Sequence, residues 1–152
     1  MSFRIEGWRI FGRRVIAILA LSLGAAAPGA LLAHNNEYLA TIKGDHGGQI
    51  RMADNYHFEV VVGSGELQVW VTDHGNRAIA TDGASGSAVI LSGGAKLNVE
   101  LSPTGENRLS AKDKRIVAAS DNRIALTVNM KGQKALQVRF APAEQHAEHS
   151  AH

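Results

Sequence analysis

None of the 152 residues is a cysteine, so no disulfide staples the fold and no thiolate can act as a nucleophile or soft metal ligand. Gly-x-Ser-x-Gly, His-Glu-x-x-His and the phosphate-binding loop are missing too. Ser64 and Ser92 fall in turn segments with no base beside them, and these absences together argue against an enzyme. Long apolar runs are also scarce. The longest continuous one, Val15 to Leu23, is too short to cross a hydrocarbon layer as a permanent helix. Beyond it no stretch carries a helical apolar stripe.

The first 33 residues have a plain organisation. Arg4, Arg9, Arg13 and Arg14 precede an uncharged run from Val15 to Ala33, which is the layout of a signal peptide. Cleavage is expected after Ala33, because a cut after Ala27 would leave Pro28 at the new terminus. Arg13-Arg14 is followed by Val-Ile-Ala, a poor twin-arginine pattern, so Sec export is the expected route and the periplasm the expected compartment. Removal of the segment turns 16 Lys and Arg against 14 Asp and Glu into 12 against 13, so the net charge of +2 becomes −1. No basic footprint for nucleic acid is left, and no membrane span is expected in the mature form. The remaining 119 residues suit one domain.

Residues 34–44 show little periodicity and read as a lead-in; residues 45–140 read as an all-β domain. Tyr56 to Val62 and Leu67 to Val71 alternate apolar with other residues around Gly63-Ser64-Gly65, which predicts a hairpin. With Ser64-Gly65 as a two-residue turn, Val62 pairs with Leu67, Val60 with Val69 and Phe58 with Val71, and these six share one buried face. Ser87 to Leu91 and Lys96 to Leu101 form a second hairpin around Ser92-Gly93-Gly94. A short strand at Arg108 to Ala111 follows, then a third hairpin from Arg123 to Met130 and Ala135 to Phe140. Seven or eight short antiparallel strands at this spacing predict a β-sandwich, Greek key or immunoglobulin-like, in preference to a barrel. Residues 141–152 read as a disordered, His-rich tail.

The hairpin register dictates the polar face. With Phe58 and Val60 inward, His57 and Glu59 point outward, because side chains alternate along a strand. Trp70 then stands opposite Glu59 and Thr72 opposite His57, while His74 lies diagonal to His57 and Asp45-His46 precedes the first strand. Neutral imidazoles with a carboxylate suit copper, zinc or nickel. The candidate ligands are His46, His57, Glu59 and His74. The same residues also suit the solvated face of a half-buried sheet, and Met52 and Met130 suit core packing as well as cuprous ion. In the tail, His146, His149 and His152 recur every third residue, a pattern that binds transition metals flexibly; an exported chain beginning at His34 would offer an amine and imidazole for copper. His46-Gly47-Gly48 is similar to the oxyanion loop of some esterases, but the nucleophile elbow that such a loop serves is absent.

Asp45-His-Gly-Gly-Gln-Ile, Tyr56-His-Phe-Glu-Val-Val-Val and Val69-Trp-Val-Thr-Asp-His74 together resemble small periplasmic proteins found with heavy-metal efflux systems. They also resemble the N-terminal domain of some adaptor subunits of resistance-nodulation-division (RND) metal exporters. Ser92-Gly-Gly-Ala-Lys, Val99-Glu-Leu-Ser-Pro-Thr-Gly and Asn107-Arg-Leu extend the similarity over roughly residues 45–140. The resemblance implies a β-sandwich in a metal-homeostasis setting, with an RND-type adaptor or other envelope protein as partner. The coiled-coil hairpin and lipoyl-like parts of an adaptor are absent, so the chain is not expected to be an exporter conduit. Two readings follow: a periplasmic transition-metal-binding protein or metallochaperone accessory to a heavy-metal efflux system, or a non-catalytic β-sandwich interaction module of the envelope that docks through a strand edge or the Trp70 face.

Overall fold

The computed structural model describes residues 36–142, and the fold is all-β with eight antiparallel strands. They are β1 (Gln49–Ala53), β2 (Tyr56–Val62), β3 (Glu66–Asp73), β4 (Ser85–Ser92), β5 (Ala95–Pro103), β6 (Arg108–Lys112), β7 (Arg123–Asn129) and β8 (Leu136–Phe140). Their spatial order is β1-β2-β3-β6-β5-β4-β7-β8. The block β7-β4-β5-β6 is a Greek key, in which three hairpin-linked strands are joined by a fourth that returns beside the first. The three predicted hairpins are all present. In β2 and β3 the pairs Val62 with Leu67, Val60 with Val69 and Phe58 with Val71 form as the turn requires.

Two layers face each other but do not separate as they do in an immunoglobulin sandwich. Ala95 to Leu101 of β5 pairs with β4, whereas Ser102 and Pro103 pair with β6, so one strand passes from layer to layer. At the other end β1 lies against β8, and the sheet is nearly closed. There the Arg51 guanidinium carbon sits 5.8 Å from the centre of the Phe140 ring, and burial lowers the Arg51 pKa. The Asn36 amide accepts from Met52 N at 2.7 Å and donates to Met52 O at 3.2 Å. It thereby occupies part of the β1 edge that would otherwise invite strand pairing.

The interior follows the predicted alternation. Phe58, Leu67, Val69 and Val71 are fully buried, Val60 nearly so, and Val62 packs at the margin. From the facing layer Ile90, Leu101, Ile124, Leu126, Val128 and Phe140 complete the core, and Met130 joins it as a packing residue. A difference lies outside the sheet, where residues 36–41 are helical. Leu39 and Met52 are both buried there, yet neither belongs to the main core. Met52 pairs with His57, so it shares the outer face of β2, and the lead-in covers part of that face. Six helical residues are too few to print a 3.6-residue periodicity on a sequence.

Candidate functional site

The outer face of β2 and β3 opens into a cleft of about 450 Å³, whose lining includes His46, His57, Glu59, Trp70, Thr72, His74 and Asn76. The register accounts for four of these: Glu59 stands opposite Trp70 and His57 opposite Thr72. His74 comes from the turn after β3. The Asp73 carboxylate shapes that turn, accepting from Gly75 N at 2.8 Å, Arg77 N at 3.0 Å and Arg77 Nε at 2.8 Å. Aspartate followed by Gly75-Asn76 is turn chemistry of this kind. The backbone bond from Arg77, with the other donors, lowers the Asp73 pKa despite some desolvation.

The turn brings His74 back over β2. Its ring centre lies 5.2 Å from that of His57, with the planes tilted by 31°. Burial, and next the neighbouring His74, push the His57 pKa below its ordinary value, against smaller opposing effects of Asn76 and Asp73. A neutral imidazole, the form that binds metals, is therefore favoured. On the far side Asn107 Nδ2 donates to Val71 O at 3.0 Å and its own carbonyl accepts from Val71 N at 2.9 Å, fixing the end of β3.

Glu59 departs from the expectation of a solvated strand carboxylate. Only 8% of it is exposed, because residues 44–48 fold back over it. Glu59 Oε1 accepts from His46 N at 2.8 Å and Gly48 N at 2.9 Å, while Oε2 lies 2.8 Å from His46 Nδ1. The His46 ring in turn stacks on Trp70, with centres 3.9 Å apart and planes 9° from parallel. Glycine is demanded by this closure: a Cβ on Gly44 would run into the Glu59 carboxylate, and one on Gly48 into the Val60 carbonyl. His-Gly-Gly is thus a carboxylate-capturing loop, and both oxygens of Glu59 are already engaged.

The four folded candidate ligands are accordingly arranged as two pairs lining one cleft, His57 with His74 and His46 with Glu59. Among the described residues no three His, Asp or Glu side chains converge as a ready metal-ligand set. His34, His146, His149 and His152 lie outside the described residues, as does the expected signal segment. Asp73, Asn76 and Asn107, which position the His57 and His74 pair, were missed in the sequence; the Asp73 turn was legible from Asp-x-Gly-Asn, whereas the Asn107 contact spans 36 residues and leaves no local signal. No described helix is long and apolar enough to cross a membrane. No protein-family model matches the chain, and no curated protein or solved structure matches it either.

Proposed function

We propose that the chain is a periplasmic transition-metal-binding protein or metallochaperone, accessory to a heavy-metal efflux system, which takes copper, zinc or nickel in the cleft between β2 and the β3 turn. The observation that carries this reading is the imidazole pair of His57 and His74, 5.2 Å apart at their ring centres, in a chain without thiolates. Residues His46 and Glu59 build the wall of the cleft by engaging each other and Trp70. The export layout of residues 1–33 and the resemblance to efflux-associated proteins supply the compartment and the partner, an RND-type adaptor or another envelope protein.

Isothermal titration of the purified chain with Zn²⁺, Cu²⁺ and Ni²⁺ tests the reading. His57→Ala/His74→Ala should lower affinity for the preferred metal at least ~10-fold, since even changes in outer-shell partners of a metal site reach that range. Substitutions at such surface positions usually alter stability by less than about 0.5 kcal/mol. Equal binding by parent and variant removes the folded site. The interaction-module reading has one observation in its favour, the exposure of Tyr38 (66%) and Ile42 (36%) at the lip of the same cleft. It becomes the better account if neither protein binds metal.

A further inference from the structure

We infer that the cleft holds its ion as a mixed complex, in which a free α-amino acid with an apolar side chain completes, through its amine and carboxylate, the coordination begun by His57 and His74. This inference rests on the metal-binding reading above and names the form in which the metal is carried.

The separation of the two rings sets how much of the coordination they supply. A ring nitrogen lies about 1.2 Å from its ring centre and a bound first-row ion about 2.0–2.1 Å beyond it, so an ion shared by both rings stands roughly 3.2 Å from each centre. Centres 5.2 Å apart then subtend about 110° at the ion, the tetrahedral value, whereas linear two-coordination would put them about 6.4 Å apart. Two positions of a tetrahedral ion are left over. Among the described residues no third His, Asp or Glu side chain converges on the pair, and Glu59 is committed to His46 and Gly48. Two neutral imidazoles also leave the charge of the ion uncompensated, which favours an anionic donor in the open positions.

The cleft offers more room, and a different lining, than water ligands need. Its volume of about 450 Å³ falls in the range of small-molecule sites, while a water takes only about 30 Å³. The register shows what walls it. His57 pairs with Thr72 and Thr72 with Ala78, so Ala78 continues the row of outward side chains beyond Thr72. In the adjoining row Ile50, Glu59 and Trp70 stand side by side. The outer face of a half-buried sheet is ordinarily polar, yet Ile50, Trp70 and Ala78 face outward here, and Leu39 and Ile42 line the same cleft. Such walls do nothing for an aquo ion; they favour a ligand that carries a hydrocarbon arm and presents two donors to one metal. The amine and carboxylate of an α-amino acid close a five-membered ring on the ion, the second donor binding at high effective concentration once the first is placed. The carboxylate supplies the anionic charge, and the side chain lies against the apolar wall.

Calorimetric titration of L-leucine and of glycine into the zinc-loaded chain tests this, because the two form the same chelate and differ only in the side chain. L-leucine should bind at least about 10-fold more tightly than glycine, the gain from burying roughly half of its side chain. Neither should bind without zinc, and His57→Ala/His74→Ala should abolish the uptake of both. Ala78→Leu fills the wall beside Thr72 and should weaken L-leucine about 10-fold but glycine less than about 2-fold; Ala78 is exposed, and circular dichroism checks the fold of each variant. Equal affinity for the two amino acids would overturn the inference while leaving the proposed function standing. The same holds if a zinc-loaded chain takes up neither, or if the amino acid strips the zinc away. Uptake of L-leucine without zinc would overturn the mixed complex, and a chain that binds no zinc at all would overturn the inference and the proposed function together.

Discussion

Replacing Glu59 with alanine removes the anchor of the 44–48 loop, and the hydrogen bonds give the size of the effect. Three contacts disappear: those to His46 N, His46 Nδ1 and Gly48 N. The His46 side chain is 42% exposed, so water replaces the carboxylate there at little cost. Gly48 is buried, and an N–H left without a partner in such a place costs about 1–3 kcal/mol. With the lost charge-assisted bond to His46 N, the whole change amounts to about 2–4 kcal/mol. Glu59→Gln keeps an oxygen for both backbone donors, and its amide can donate to Nδ1 of a neutral His46, so the loss should stay near 1 kcal/mol. Urea denaturation followed by circular dichroism measures both, with Trp70 fluorescence reporting release of the stacked His46. A Glu59→Ala midpoint within error of the parent, or Gln as damaging as Ala, would refute the capture of the carboxylate by the loop.

Further expectations concern the same loop, the core, pH and export. Gly48→Ala drives its Cβ into the Val60 backbone and should cost about 1–3 kcal/mol in an equilibrium denaturation. Gly47→Ala meets no neighbour but forces alanine to a φ of +79°, a milder penalty of about 1–2 kcal/mol. Phe58→Ala empties a fully buried position and should cost about 3–5 kcal/mol. Because the folded His57 pKa is depressed from 6.5, the unfolded chain takes up the proton first. Stability from this group is present above 6.5 and is lost as pH falls through the lower folded value; thermal melts of His57→Gln should show a flatter acid limb. N-terminal sequencing of the periplasmic protein should begin at His34, and a retained Met1 would remove the export reading.

The β2 and β3 register was legible because two local signals agreed, the Ser64-Gly65 turn and the alternation around it. From that register alone follow the pairing of Glu59 with Trp70 and of His57 with Thr72, whereas the meeting of His57 with His74 needs the Asp73 turn that follows β3 as well. The burial of Glu59 was not legible. It arises when Gly44 and Gly48 pass too close to Glu59 and Val60 for any side chain, and a three-dimensional approach of that kind has no periodicity. Near-closure was hidden for a related reason: β5 changes partners at Ser102, and its sequence alternates without interruption. A strand edge at β1 is likewise occupied by Asn36 and faced by β8, so the edge-docking mode expected of an interaction module has little free edge to use there.

Anomalous diffraction from crystals grown with Zn²⁺ tests the metal-binding account most directly. The account predicts a peak between the two rings, about 2.0–2.1 Å from one nitrogen each of His57 and His74, with His46 still stacked on Trp70 and Glu59 still bound by the loop. Peaks confined to the tail histidines, or at His46 and Glu59 after the stack has opened, would contradict it.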